Sequence, residues 1–310
     1  MFLFKLPART ERVRIQYHDG AAAAHYADLY LNPGPEGRFF RERLTLVQKV
    51  LAACPGGDLL DAGCGPGILV RTLLETRPRD FRITVLDQSL AMVEHCTATV
   101  QDVGRILPAV GQLEAMPFAD FTFDTTLVMG ALEYSDLRVA VREISRVTRP
   151  GGFIIATMLN PLSPYRIAEW FCYWPVLRLV GLIEKVFGVS SRQRHGAHLT
   201  GIRAVPAFRL RQLMAQAGMC ATETVYFHLN SAVPPFDRHR RTNQTCDNAQ
   251  KGKVATRGMR RFIGTAYLVV AKRELSRGLD AVEGDRFINT GESASHRPLI
   301  RGLGVARYQT

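Results

Sequence analysis

At 310 residues and 34.6 kDa, with 46% apolar residues, the chain can bury a full core and fits one large domain with additions. Six scattered cysteines, with no C-x-x-C pair and no histidine at zinc-ligand spacing, give neither a disulfide framework nor a metal site. The net charge of +12 lies wholly in the C-terminal part: residues 1–190 carry 20 Lys+Arg against 20 Asp+Glu, residues 191–310 carry 20 against 8. The densest basic run, Arg238 to Arg261, has few aromatics to stack bases, which disfavours nucleic acid. It reads as a solvated connector, or as a contact for an anionic membrane surface, acyl carrier or phosphorylated substrate. The apolar start, Met1 to Phe4, is too short for a signal-peptide core, so a cytoplasmic protein is expected.

In chain order, the first 40 residues hold Tyr17, His18, Tyr26, Tyr30, Phe39 and Phe40 around an alanine run. They form either a cap over a pocket or a plainly packed N-terminal helix. An amphipathic helix is predicted from about Arg41 to Ala53. Leu59-Leu60 then reads as the end of a buried parallel strand, Gly63-Cys64-Gly65-Pro66-Gly67 as a tight turn, and Ile68 to Leu74 as a helix. Strand, glycine turn and helix make a ligand cradle, because a backbone without side chains lets a nucleotide-sized ligand approach. The spacing G-x-G-x-G has Ile68 where a dinucleotide fingerprint has its last glycine, which argues against a pyrophosphate. Asp61, just ahead of the turn, would repel a pyrophosphate but suits a cationic amino group. The next strand, Arg82 to Asp87, ends in a carboxylate whose two oxygens match a vicinal ribose diol, and Ser89 is a cap for the helix that follows.

Four stretches together resemble the class I S-adenosylmethionine (SAM)-dependent methyltransferases, of the type that includes the ubiquinone and menaquinone C-methyltransferases. They are Leu59 to Gly67, Arg82 to Met92, Gly111-Gln112-Leu113-Glu114-Ala115-Met116-Pro117-Phe118, and Arg149-Pro150-Gly151-Gly152 before the strand Phe153 to Thr157. The resemblance implies an α/β, Rossmann-like seven-stranded sheet of order 3-2-1-4-5-7-6 with the last strand antiparallel, a helical cap, and an insertion after the fifth strand. It implies SAM held by Asp61, Gly63, Cys64, Gly65, Gly67, Asp87, Gln88, Met92, Gln112, Leu113 and Met129. Met92 would lie near the adenine face, and Gln112 would meet the adenine amino group where the family usually has Asp. The cap would bring Tyr17 and Tyr26 to the pocket. The segment after the fourth strand, Phe123 to Met129, would begin the substrate wall, making Glu133 and Tyr134 either substrate contacts or a helix-start acid and a packed ring.

The expected domains are 1–40, an N-terminal cap; 41–272, the methyltransferase domain, with an apolar insertion at 158–205 and the basic connector at 236–262; and 273–310, a mobile tail. The insertion gathers Trp170 to Trp174 and the aliphatic run to Phe187, too interrupted for a membrane span. It reads as a lid over an apolar acceptor such as a lipid, quinone or polyketide, or else as an interfacial or dimer surface. His195 and His198 are either a general base or solvated loop histidines. Tyr17, Glu133, Tyr134 and His195 are the catalytic candidates. A silent SAM-binding protein and a nicotinamide-dependent oxidoreductase are the alternatives.

Overall fold

The computed structural model describes residues 19–190, 202–229 and 260–275. The expectations for Tyr17, His195, His198, most of the basic connector and nearly all of the tail lie outside them. Two helices, α1 (Gly20–Asp28) and α2 (Pro35–Ala52), precede strand β1 (Gly57–Ala62). Helices and strands then alternate as α3 (Ile68–Thr76), β2 (Phe81–Asp87), α4 (Leu90–Val100), β3 (Leu107–Val110), β4 (Phe123–Val128), α5 (Leu137–Val147) and β5 (Thr148–Leu159). An excursion follows: α6 (Pro164–Ala168), a π turn (Glu169–Tyr173) and α7 (Trp174–Val186). The chain returns through α8 (Ala207–Gln216), β6 (Met219–Leu229), the short α9 (Arg260–Ile263) and β7 (Gly264–Arg273).

The seven strands form one sheet of order β3-β2-β1-β4-β5-β7-β6. β1 pairs in parallel with β2 (Leu59 opposite Ile83) and with β4 (Leu60 opposite Thr126), whereas β7 runs antiparallel to β5 and β6. Alternation along each strand feeds two cores, one on each face of the sheet. Leu59, Ile155 and Leu268 join Val47, Leu51, Leu69 and Leu73 of α2 and α3 on one side. Leu60, Ile154 and Val269 join Val141, Ile144, Leu210 and Met214 of α5 and α8 on the other. The sheet therefore leaves the C-terminal ends of β3, β2, β1 and β4 side by side at one edge, where ligands of such sheets bind.

Two local expectations need correction. Helix α2 begins at Pro35, not near Arg41, because proline at the first helical position needs no N–H partner and pre-sets the helical φ. Residues Arg149 to Gly152 do not form a separate turn ahead of the strand. They bulge within β5, which pairs Thr148 with Phe123 and Phe153 with Thr125. The Arg149 guanidinium ties the bulge down by pairing with Asp124 at 2.7 Å and Asp58 at 3.1 Å.

Candidate functional site

An open cavity, about 840 Å³ with the solvent space at its mouth included, lies over the ends of β3, β2, β1 and β4. Its floor at β1 is the turn Gly63 to Pro66, which β1 delivers because Gly63 N–H and Cys64 N–H both donate to Leu86 O, at 2.6 and 3.1 Å. At the end of β2, the Asp87 carboxylate is fixed edge-on: it accepts from Gly65 N–H at 3.1 Å and from Ser89 N–H at 3.0 Å. Burial pushes its pKa up, while those backbone N–H groups pull the other way. Ser89 also caps α4, accepting from Met92 N–H at 3.3 Å, and this cap sets Met92 in the cavity wall. Met92 and Leu113 are both buried and, with Leu86 and Gly111, bound an apolar end of the cavity near β3.

The opposite wall comes from α1 and α2. Arg41 Nη1 donates to Tyr30 O at 2.8 Å and to Asn32 O at 2.7 Å, closing the turn between the two helices. Tyr26 and Tyr30 then pack on the Phe40 ring, with centroids 5.4 and 5.1 Å away, and both tyrosines line the cavity with Arg43. Beyond β4, Met129, Gly130, Ala131, Tyr134 and Ser135 complete the lining.

Of the sequence-predicted residues, Gly63, Cys64, Gly65, Asp87, Gln88, Met92, Leu113, Met129 and Tyr134 are brought together in this lining, as is Tyr26. Asp61 lies beneath it, 1% exposed, with no hydrogen-bond partner for either carboxylate oxygen. Gly67 is outside the lining: it is the point where α3 meets α4, and a Cβ there would come within 2.9 Å of Cys96 Cα. Gln112 is also outside, bridged to Ala115, and its neighbours Leu113 and Glu114 line the cavity instead. Glu133 is buried away from it, Oε1 accepting from Leu159 N–H at 3.1 Å, and burial raises its pKa. The lining residues Arg43, Glu114, Gly130 and Ser135 were not anticipated as site residues, and Tyr30 only as part of the aromatic cap. Arg43 alone carried a signal, as a charged residue on the stripe Phe40, Val47 and Val50 that α2 buries.

The cavity thus offers an apolar slot at one end and a carboxylate matched to a vicinal diol at its middle. Near the glycine turn it offers a second, orphaned carboxylate whose unmet partner must be cationic or a hydrogen-bond donor. An adenosine bearing a cationic amino-acid side arm fits these features.

Known proteins agree. The methyltransferase-domain family matches residues 60–156. A demethylmenaquinone methyltransferase from Desulfitobacterium hafniense is 30% identical over 196 residues, 62% of this chain and 76% of the relative. A malonyl-[acyl-carrier protein] O-methyltransferase from Erwinia billingiae is 32% identical over 145 residues, 46% of this chain and 54% of the relative. The chain spans about half the length of several curated relatives it matches. A SAM-dependent methyltransferase structure from Thermotoga maritima superposes with a TM-score of 0.54 over 84% of this chain and all of that one, at 16% identity, which is a likeness of fold. With the sheet order and the 76% coverage of the Desulfitobacterium relative, the chain belongs to the class I SAM-dependent methyltransferases.

Proposed function

We propose that the protein transfers the methyl group of SAM to a small, apolar acceptor of lipid, quinone or polyketide type. Asp87 would accept from the ribose hydroxyls, Met92 and Leu113 would flank the adenine, and Asp61 would offset the charge of the ammonium. SAM supplies a methyl already activated on a sulfonium. The chain's own task is then alignment and exclusion of water, with a base needed only for an acceptor that must lose a proton. Asp87→Ala should weaken binding of SAM by about 1.5–3 kcal/mol, the loss of a charge-assisted diol contact, measured by calorimetry.

The observation that carries the apolar acceptor is α7. Its outer face presents Val176, Leu179, Leu182, Ile183 and Val186 to solvent, continued by Phe187, each more than half exposed. Gly181 is buried, and Trp174 and Leu177 are only half-buried. An apolar surface of this size in water calls for a cover. A lipid-like acceptor, or the bilayer surface that holds one, would supply it, with the exposed Arg178 and Lys185 meeting anionic head groups. The root of this excursion packs behind the cavity wall: the Arg166 guanidinium sits 5.7 Å from the Phe39 ring, whose centroid lies 5.5 Å from the guanidinium of the lining residue Arg43. Among the described residues no helix is long and apolar enough to cross a membrane. The relatives named for demethylmenaquinone and for ubiquinone and menaquinone biosynthesis support an apolar acceptor.

The test is transfer of labelled methyl from SAM to quinone, lipid and polyketide acceptors, with malonyl-[acyl-carrier protein] as the carrier-bound contrast. Trp170→Ala and Trp174→Ala should raise the acceptor KM roughly tenfold or more, from about 1.5–3 kcal/mol of lost aromatic burial, and leave SAM affinity unchanged. No transfer to any acceptor, with SAM still bound, would favour a silent SAM-binding protein. Variants that alter only the oligomeric state would make α7 an assembly surface.

A further inference from the structure

Half of the large apolar side chains exposed among the described residues lie in one excursion, Leu162 to Phe187, which leaves the sheet from the C-terminal end of β5. Its helix α7 has an ordered surface. Val176, Leu179, Ile183 and Val186 follow one another at steps of three and four, so they share one face, and Leu182 and Phe187 widen it. Arg178 and Lys185, seven positions apart and both exposed, form a basic stripe along one border of that face. The acid of the helix, Glu184, lies on the other border and is half-buried. Aromatic residues gather where α7 begins: Phe171 is exposed, and Trp170, Tyr173 and Trp174 are half-buried.

Shape and charge together select a partner for this face. The outer side of a single helix is convex, the wrong form for enclosing a small molecule, which is held in a concave cleft. A flat, fluid partner can cover it. The 13 residues of α7 make a helix about 20 Å long, too short to cross a bilayer but suited to lying in its surface. In that position the apolar face sits among the upper acyl chains, the basic stripe reaches the phosphates, and the aromatic residues lie at the level that such rings favour. Charge separates this partner from a second copy of the chain. Each copy carries +12, with the excess gathered in residues 191–310, so two copies repel one another while an anionic lipid surface attracts.

We infer that α7 is an in-plane anchor for an anionic lipid bilayer, held by its apolar outer face and by the Arg178 and Lys185 stripe beside it. β5 runs parallel to β4, so the excursion starts from the sheet edge at which the cavity opens, and its root packs behind the cavity wall at Phe39. An enzyme docked this way takes its acceptor from the membrane on which it lies. That supply rests on the acceptor reading above, whereas the contact with lipid needs neither cofactor nor acceptor.

The test is sedimentation of the full chain with vesicles, without cofactor or acceptor. One set is phosphatidylcholine alone, the other equal parts of phosphatidylcholine and phosphatidylglycerol. The unaltered protein should bind the mixed vesicles at least tenfold more tightly than the neutral ones, and added salt should weaken that binding. Leu179→Glu combined with Ile183→Glu should lose at least tenfold on the mixed vesicles, and Arg178→Gln combined with Lys185→Gln about tenfold. All four positions are exposed, so both variants should keep the parent's melting temperature. Equal binding to the two kinds of vesicle, or none, would overturn the inference. So would a Leu179→Glu, Ile183→Glu variant that binds as the parent does, which would leave the attraction to the basic C-terminal part alone. A parent dimer that this variant breaks, with no vesicle binding, would make the face an interface between copies. Calorimetry of the same samples with S-adenosylhomocysteine keeps the two readings apart: lost lipid binding with this ligand still bound sinks the anchor only, and lipid binding without it sinks the cofactor reading only.

Discussion

Asp61→Asn is expected to stabilise the ligand-free protein above pH 7 while removing most of its affinity for SAM. Asp61 is 1% exposed with neither oxygen partnered, and burial first, then the neighbouring Asp87 charge, pushes its pKa up to about 7. In the unfolded chain the same group titrates near 3.9. Between about pH 4 and pH 7 the folded state therefore holds a proton that the unfolded state has released, so stability falls as pH rises through that window and the penalty is complete above 7. Three pKa units correspond to roughly 4 kcal/mol, an upper figure for a group whose surroundings can relax. Asparagine removes the charge but keeps an unpaired amide, which costs about 1–3 kcal/mol in either state of pH. The net gain at pH 8 should be on the order of 1–3 kcal/mol, a rise of a few degrees in the melting temperature, and it should vanish at pH 5. Calorimetry with SAM should show the opposite sign, because on the proposed reading the ammonium of the cofactor would lose the charge that offsets it. A variant no more stable than the parent at pH 8 would mean that the carboxylate is already satisfied.

That conflict between stability and binding explains why some of the site was legible in the sequence and some was not. Asp61, Gly65 and Asp87 break the local rule that strand ends and turns are chosen for packing, and such violations are visible one residue at a time. The sheet order followed from the resemblance, and the two apolar faces from strand alternation. The place of Arg43 in the cavity wall was not legible, although its charge on the buried stripe of α2 was, because the contact of α2 with the cavity depends on the turn that Arg41 closes, a tertiary fact with no periodic signature. The third motif shows how a turn redistributes its residues. Gln112 bridges to Ala115, so the following pair, Leu113 and Glu114, reaches the cavity wall. The aromatic insertion was readable as apolar, but its period could not say which side faces outward. In α7 the usual arrangement is inverted, with apolar residues outside and Gly181 buried within.

Two glycines of one motif should respond to substitution in opposite ways. Gly65 sits at φ +52, and a Cβ built there meets only Tyr26 Cε1 at 3.9 Å, so an added side chain would extend into the cavity. Asparagine tolerates this left-handed conformation better than other side-chain residues, so Gly65→Asn should fold with a melting temperature within a few degrees of the parent. Its side chain would occupy the space over the glycine turn, and SAM affinity should fall by on the order of 100-fold or more, about 3 kcal/mol. Gly67 is at φ +82, and its Cβ would meet Cys96 Sγ at 2.6 Å and Cys96 Cα of α4 at 2.9 Å. Gly67→Ala combines about 1–2 kcal/mol of left-handed strain with about 1–3 kcal/mol of overpacking against backbone that cannot rotate away. A loss of roughly 2–5 kcal/mol should appear as a lower denaturant midpoint with or without ligand. Whatever fraction of Gly67→Ala stays folded should bind SAM within a few-fold of the parent, because this glycine faces a helix and not the cavity. Should Gly65→Asn keep full affinity while Gly67→Ala folds normally and loses it, the roles of the two glycines are reversed and the cofactor approaches α3 from the other side of the turn.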